Sequence, residues 1–441
     1  MARALHEEPD EAPTTTHAPE ATIRRLPAAD ASLDATSGGG GVFRSLRHRN
    51  YRLLFIGTLF SSSGLWLQQV TINYLAFALS QSSFVVGLAS GARSVPLLAL
   101  GPVGGVMADR YDKKRLMLST QVAQMALTLI FALIIIGGYL QVWHIFVFSL
   151  LSGVAWALNM PVRQSVVPTT VPREDMMNAM ALNSAGFNIT RILGPAIAGL
   201  MIAKVGAGEN FLMQAVAYLA VAYLVMQLTL PNSRSAAKTA GSVMQNLKEG
   251  AVFVWRNATL RVQMLLALVP VVIALPYIAI LPQFNVEVLH GSAGTFGLLM
   301  AAPGVGAVVA TLLVATMKSN VRYGLLLLGS LFALGLSLMA LALASHLWMV
   351  LAMLVLIGGT QMVYMTASQT VVQLSIPDEY RGRVMGIYML NQGMLPLGSM
   401  FAGTLADFYS ASVALVIMGA LVAALAVLFY FRAGSLRRLT A

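Results

Sequence analysis

Two arginines lie inside long apolar stretches of this chain, where a positive charge is costly and therefore informative. If those stretches are membrane-spanning helices, Arg93 and Arg191 each lie roughly 15 Å below the bilayer surface. A charge at that depth costs at least about 2.5–3.5 kcal/mol on insertion scales, so it should face a cavity or a partner. A guanidinium in a cavity can bind an anionic substrate group or take part in gating. The alternative is that each arginine binds backbone carbonyls at a helix break, near Pro96 or Pro195.

Polar residues form stripes at helical spacing on five of these stretches. Ser184, Asn188, Arg191 and Pro195 follow at spacings of four, three and four, which places them on one helix face. The other stripes are Ser61, Gly64, Gln68 and Thr71; Ser149, Ser152, Trp156 and Asn159; Gln361, Tyr364 and Ser368; and Tyr388, Gln392 and Ser399. As a group they favour the lining of a substrate cavity. The alternative is hydrogen bonding across helix interfaces without substrate contact.

Carboxylates are absent from the middle of the apolar stretches. Proton antiport usually needs a desolvated carboxylate that is exposed alternately to each side of the membrane. The nearest candidates are Glu287 and Asp407, which fall at the outer ends of two stretches. For Glu287 the alternative is an ordinary charge at the membrane boundary.

The sequence carries no sign of catalysis or of a bound cofactor. No Gly precedes any Lys, so a Walker A loop is absent, and neither His-Glu-x-x-His nor Gly-x-Ser-x-Gly occurs. The chain has no cysteine, which excludes disulfides and thiolate metal sites. Its 25 methionines suit irregular apolar packing better than copper binding, and His144, His290 and His346 fall at helix ends. We therefore expect no enzyme, no cofactor and no metal site.

The elements that would position these residues are transmembrane helices. The chain is 57% hydrophobic and 10% charged, with a mean hydropathy of +0.75, whereas soluble proteins average about 25% charged residues. Twelve mostly apolar runs are each long enough to span the roughly 30 Å core of a bilayer. They lie near residues 51–79, 83–107, 114–137, 142–166, 176–203, 210–230, 259–285, 292–317, 323–344, 346–374, 382–407 and 411–432. We expect an all-α membrane protein of twelve transmembrane helices.

The net charge of +11 is distributed as membrane topology requires. Residues 1–42 hold seven acids and three bases without the apolar core of a signal peptide, so we expect a disordered cytoplasmic tail. With the N-terminus inside, 25 of the 28 Lys and Arg residues fall in the tails or on the inner side, while only Lys204 falls outside. This positive-inside pattern places both termini in the cytoplasm and argues against a nucleic-acid partner.

An internal repeat divides the chain into two six-helix halves. Gln164-Ser-Val-Val167, followed by Pro172, matches Gln369-Thr-Val-Val372, followed by Pro377, at an offset of 205. Parallel halves of this kind are a transporter architecture, with the substrate site between them at mid-depth. The expected divisions are an N-terminal half at 43–230, a cytoplasmic linker at 231–258, a C-terminal half at 259–435 and a C-terminal tail at 436–441.

The loop after the second run resembles the inner-loop signature of the major facilitator superfamily. It reads Gly104-Gly-Val-Met-Ala-Asp-Arg-Tyr-Asp-Lys-Lys-Arg115. The resemblance implies that Asp109 latches the inner side shut by pairing with Arg163 or with the start of the eleventh helix, near Arg381. The matching residues are Gly105, Asp109, Arg110, Lys113, Lys114 and Arg115. The alternative for the basic residues is that they only set orientation.

Three further stretches are similar to the bacterial exporter branch of that superfamily, which includes the enterobactin exporter and macrolide or multidrug efflux proteins. They are Gly64-Leu-Trp-Leu-Gln68, Pro161-Val-Arg-Gln164 and the run from Asn183 to Pro195. The antiporter signature of the fifth helix is retained at Gly194, Pro195 and Gly199, whereas Ala181, Thr190 and Ala198 stand where glycines are expected. The resemblance implies proton antiport and assigns the retained residues to conformational change.

The function expected from the sequence is secondary transport across the bacterial inner membrane. We expect a monomeric exporter of an amphipathic small molecule, neutral or anionic, such as a siderophore-like metabolite or a drug. One alternative is an uptake transporter of the same fold. Another is a membrane sensor or lipid-handling protein that carries no solute.

Overall fold

The structure is a computed structural model that describes residues 41–230, 243–317, 321–377 and 380–432. For residues 101–110, 243–247, 381, 382, 389 and 392 it describes the backbone only. The predicted N-terminal tail (apart from 41–42), the predicted C-terminal tail and most of the first half of the predicted linker lie outside the described residues.

The described chain is built from α-helices and short 3-10 or π turns, without strands. The N-terminal half consists of α1 (Arg49–Ser80), α2 (Ser83–Arg110), α3 (Lys113–Ile136), α4 (Val142–Val166), α5 (Met176–Lys204) and α6 (Ala207–Met226). A linker helix, α7 (Val243–Arg256), precedes the C-terminal half. That half consists of α8 (Ala258–Val269), α9 (Tyr277–Glu287), α10 (Ala293–Ala315), α11 (Tyr323–Leu343), α12 (Leu347–Leu374), α13 (Arg381–Leu390), α14 (Leu395–Phe408) and α15 (Ala411–Arg432).

Ten helical segments of the described chain are long and apolar enough to cross a membrane. Helices α8 and α9 form one of these segments, Ala258–Glu287. Two of the twelve predicted runs do not meet the length and hydropathy criteria. Helix α1 has 32 residues, but serines and glutamines interrupt its apolar residues. The run predicted at 382–407 is divided into α13 and α14 by a 3-10 turn at Asn391–Met394.

The seventh predicted run also departs from a continuous helix. A π turn at Pro270–Ala274 separates α8 from α9. Pro270 and Pro276 have no backbone N–H to donate, so regular hydrogen bonding fails on this stretch. Asn257 starts α8 by accepting hydrogen bonds from the backbone N–H groups of Thr259 and Leu260. The sequence predicted the extent of this run but not its break.

The two halves contact each other along two helix pairs, α2 with α14 and α5 with α10. We call the end of the bundle that holds the starts of α1 and α8 the tail end, and the opposite end the far end. The α5–α10 pair is close because Gly199 and Gly297 face each other with no room for a Cβ atom on either.

The apolar cores show how the halves separate. The largest cluster joins Leu67 and Ala198 of the N-terminal half to Tyr277 and Phe296 of the C-terminal half. At the tail end, by contrast, each half has its own cluster. The N-terminal one includes Tyr51, Leu54, Val166 and Val225, and the C-terminal one includes Val254, Leu260, Val372 and Ile376. The halves therefore share a core towards the far end and have separate cores at the tail end.

Candidate substrate cavity and gates

Arg93 lines a small pocket within the N-terminal half. The pocket is formed by α1, α2 and α4 and includes Gln68, Gln69, Ser90 and Ser149. The Arg93 guanidinium carbon lies 5.8 Å from the ring centroid of Trp156 on α4. Helices α2 and α4 pack closely at this point, because Gly153 of α4 has no side chain and lies directly against the backbone of Arg93. Arg93 and Trp156, which the sequence predicted as separate cavity residues, therefore form one cation–π pair.

Polar side chains around this pocket form two hydrogen-bond groups. In the first, Gln69 Nε2 donates to Asn73 Oδ1 at 3.2 Å, and Ser90 Oγ donates to the same oxygen at 3.2 Å. In the second, Gln68 Nε2 donates to Ser152 Oγ at 2.8 Å. Gln68 thus lines the pocket, and its side chain also joins α1 to α4 through a hydrogen bond.

Arg191 forms a second arginine–tryptophan pair. Its guanidinium carbon lies 6.0 Å from the ring centroid of Trp66 on α1. Gly194, one turn along α5, packs against the Cβ atom of Trp66, where a side chain would not fit. Gly304 of α10, in the C-terminal half, lies directly against the backbone of Arg191. The pair therefore lies where the two halves meet.

Neither arginine has an acidic partner among the described residues. The ion pairs found there join Arg44 and His48 to Asp175, Arg44 to Glu174, and Arg383 to Glu249. Arg93 and Arg191 are half-buried, and their aromatic neighbours leave the positive charge uncompensated. Such a guanidinium can bind the carboxylate or phosphate of a ligand by donating two parallel hydrogen bonds.

Several predicted cavity residues instead join helices within one half. Asn210 Nδ2 donates to Thr71 Oγ1 at 2.7 Å, and Asn159 Nδ2 donates to Thr120 Oγ1 at 2.6 Å. The Tyr364 hydroxyl donates to the carbonyl of Leu266 at 2.8 Å. These contacts favour the structural alternative for Thr71, Asn159 and Tyr364.

The remaining predicted cavity residues lie on three helices and one 3-10 turn. Asn188 is half-buried and donates to the carbonyl of Ser184 on its own helix. Gln361 is buried within α12, and the Tyr388 hydroxyl lies 3.0 Å from Ser368 Oγ. Gln392 falls in the 3-10 turn between α13 and α14, and its side chain lies outside the described part of the structure.

The predicted tail-end latch is described only in part. The backbone of Gly105, Asp109 and Arg110 forms the last turns of α2, but their side chains lie outside the described residues. Arg163 is half-buried on α4, with a buried Nε atom that has no hydrogen-bond partner in the described structure. Asp112 caps α3 by accepting from the backbone N–H of Arg115. Lys113 and Lys114 form the first turn of α3 beside it.

The two predicted coupling carboxylates each bind the start of a helix at the far end. Glu287 Oε2 accepts from the backbone N–H of Ala411, where α15 begins. Asp407 accepts from the backbone N–H groups of Ser83 and Phe84, where α2 begins. Both side chains are exposed, so neither has the desolvated, mid-depth position that proton antiport usually needs.

Sequence reasoning missed three residues of this site. Trp66 stands within the stretch Gly64–Gln68, but that stretch supported only the family resemblance. Asn73 lies five residues after Gln68, off the predicted stripe, and Gly304 belongs to α10, on which no polar stripe was predicted. A search for aromatic residues at the same depth as each arginine would have pointed to Trp66. Among the described residues, no group of three His, Asp or Glu side chains is placed to hold a metal ion.

The chain is similar in sequence to known bacterial transporters. The chain is 26% identical over 382 residues to the staphyloferrin A transporter of Staphylococcus aureus, covering 86% of this chain and 93% of that protein. It is 24% identical to the multidrug efflux pump Tap of Mycolicibacterium fortuitum, covering 80% of this chain and 88% of the pump.

Solved structures show the same fold. The nucleoside transporter NupG superposes with a TM-score of 0.70 at 13% identity, over 90% of this chain and all of NupG. A bacterial homologue of the lysosomal transporter Spinster superposes with a TM-score of 0.64 at 15% identity, over 88% of this chain and 96% of that one. The family model for transmembrane secretion effectors matches residues 40–439. The chain therefore belongs to the transmembrane secretion effector family of major-facilitator transporters.

Proposed function

We propose that this transporter exports an amphipathic small molecule, anionic or neutral, from the cytoplasm across the bacterial inner membrane. The observation that carries the proposal is the pair of half-buried arginines, Arg93 and Arg191, that no described carboxylate neutralises. Each guanidinium lies beside a tryptophan. An uncompensated cation next to an aromatic face suits a ligand that has both an anionic and an apolar part.

The packing of the halves supports loading from the tail end. Their cores are shared towards the far end and separate at the tail end. The positive-inside pattern assigns the tail end to the cytoplasm. A bundle of this shape would take up cargo from inside the cell and release it after the halves rock about the central site.

The names of the relatives support export and point to two classes of cargo, a siderophore-like metabolite and a drug. One relative is a transporter of the siderophore staphyloferrin A, and others are multidrug and macrolide efflux proteins. The arginine pairs favour an anionic metabolite of the siderophore type over a cationic drug. Proton antiport is part of the proposal only through the resemblance to the exporter branch, because the predicted groups Glu287 and Asp407 are exposed.

The test compares metabolites inside and outside a deletion strain with those of a complemented strain under iron limitation. Export predicts a compound that is retained in the deletion strain and released on complementation. Complementation with Arg191→Ala should restore little release, whereas Arg173→Ala should restore it fully because Arg173 is exposed on a 3-10 turn. An external compound that stays unconsumed in the deletion strain would instead indicate uptake. Equal release by both variants would contradict the anion-binding role of Arg191.

A further inference from the structure

Asp407 connects the two halves at the far end of the bundle. It lies in the last turn of α14, in the C-terminal half. Its carboxylate accepts hydrogen bonds from the backbone N–H of Ser83 at 2.7 Å, from that of Phe84 at 3.1 Å, and from the Ser82 hydroxyl. All three donors belong to the start of α2, in the N-terminal half. A single side chain of the C-terminal half therefore accepts the hydrogen bonds of free donor groups at the start of a helix in the N-terminal half.

Such a contact is favourable for two physical reasons. The first backbone N–H groups of a helix have no partner within the helix, and the helix dipole places partial positive charge there. Hydrogen bonds to a carboxylate are shorter and stronger than those between neutral groups. A neutral bridge lies beside the carboxylate, where Ser83 Oγ donates to Gln283 Oε1 at 2.6 Å. The far end is thus closed by polar contacts at the rim.

Below this rim, α2 and α14 pack backbone against backbone. Gly403 lies against the backbone of Ser83, and Gly87 lies against the backbone of Ser399, with no space for a Cβ atom at either glycine. At the tail end of this segment, α13 packs on the linker helix α7. Arg383 of α13 pairs there with Glu249 of α7 at 3.0 Å. The helix pair is therefore closed at the Asp407 end.

The sequence around Asp407 repeats the sequence at the opposite end of the same helix pair. Gly403-Thr-Leu-Ala-Asp407 and Gly105-Val-Met-Ala-Asp109 share the pattern Gly-x-x-Ala-Asp. Because α2 and the α13–α14 segment are antiparallel, these aspartates lie at opposite ends of the bundle. Asp109 ends α2 as Asp407 ends α14, each at the end where the partner segment begins.

We propose that Asp407 is the far-end latch of the transport cycle, at the opposite end from the tail-end latch that the family resemblance implies at Asp109. The Asp407 contact holds the far end closed and must break each time that end opens. Asp407 is therefore a positioning residue that sets the balance between the two states of the transporter. This role rests on the proposed alternating-access function, but it does not depend on the identity of the cargo.

The experiment measures opening directly by thiol labelling. The chain has no cysteine, so Ser399→Cys introduces a single thiol into the otherwise natural protein. Ser399 is 4% exposed, in the α2–α14 contact below the latch. In the purified full chain in lipid nanodiscs, a hydrophilic maleimide should react at a rate proportional to the open fraction of the far end. Transport plays no part in this readout, so a failure of export and a failure of the latch are distinguishable.

We expect Asp407→Ala to raise the labelling rate about tenfold, which corresponds to about 1.4 kcal/mol, and Asp407→Asn to raise it less. The matched control is Glu209→Gln, which neutralises an exposed carboxylate in the first turn of α6, also at the far end. It should leave the rate unchanged. Asp109→Asn should lower the rate, because weakening the tail-end latch favours the state that is closed at the far end.

An unchanged labelling rate in Asp407→Ala and Asp407→Asn, with melting temperatures equal to the parent, would overturn the proposal. A rise of equal size in Glu209→Gln would also overturn it, because the labelling rate would then respond to the loss of any negative charge at the far end and not to the Asp407 contact. If Asp407→Ala does not yield folded protein, Asp407→Asn carries the test, since its side chain keeps the size and one acceptor oxygen of the aspartate.

Discussion

The guanidinium of Arg191 rests over the indole of Trp66, 6.0 Å from the guanidinium carbon to the ring centroid. Trp66 is held in turn by Gly194, which packs on its Cβ atom, and by the ring of Phe187 at a centroid distance of 6.0 Å. The charge of Arg191 is therefore oriented by α1, whereas its backbone packs against Gly304 of α10, in the C-terminal half. Arg191 thus lies at the contact between the two halves.

Trp66→Leu should weaken transport of an anionic cargo, because the arginine loses the aromatic face that orients it. A cation–π contact contributes about 0.5–2 kcal/mol, so we expect a rise in KM of roughly 2- to 30-fold with little change in melting temperature. Trp66→Phe should retain most of the affinity. The measurement is concentration-dependent transport in proteoliposomes, with Trp143→Leu, an exposed tryptophan at the far end, as control. A KM equal to that of the parent in Trp66→Leu would refute this role.

Gly306→Ala should destabilise the C-terminal half. A Cβ atom at Gly306 would overlap the carbonyl of Val355, and Gly358 meets Pro303 in the same way across the α10–α12 contact. Inserting a methyl group into such a contact typically costs about 1–3 kcal/mol. The measurement is thermal unfolding in detergent. The control is Gly329→Ala in α11, where nothing lies within 4 Å of the new atom, and it should melt at or above the parent temperature. Equal melting of the two variants would show that the helices separate without cost.

Asp175→Ala should release the segment that leads into α1. The Asp175 carboxylate is 7% exposed and pairs with Arg44 at 2.6 Å and with His48 at 2.7 Å. Removing a buried carboxylate that binds an arginine and a histidine costs more than removing an exposed carboxylate. We expect trypsin to cleave after Arg44 several-fold faster. Glu174→Ala is the matched control, because its side chain is 83% exposed and contacts Arg44 only at 3.7 Å. Identical digestion of the two variants would contradict the anchoring role.

The sequence predicted the helices well because the length of an apolar run, and the charges at its ends, can be seen in consecutive residues of the chain. The run expected at 142–166 is α4, and that expected at 411–432 is α15. The two-half organisation followed from the repeat. The breaks at Pro270–Ala274 and Asn391–Met394 were not predicted, because a proline or glycine in an apolar run is compatible with a continuous helix when neighbouring helices satisfy the backbone.

The candidate site was predicted less well, because helical spacing shows which residues share a face but not what that face meets. Thr71 follows Gln68 on the predicted stripe, yet Thr71 bonds Asn210 of α6 while Gln68 reaches Ser152 of α4. Asp407 was expected at the end of a helix, and there it lies. Its partners are more than 300 residues away in the chain, so no local pattern identifies them.

The attachment of α7 to α13 determines which helices move together. Phe253 of α7 stacks on Tyr380 at a centroid distance of 4.3 Å, and Glu249 pairs with Arg383, so the linker helix is fixed to the C-terminal half. Rocking of the two halves would therefore carry α7 as part of the C-terminal half, so the moving C-terminal unit begins at α7 and not at α8.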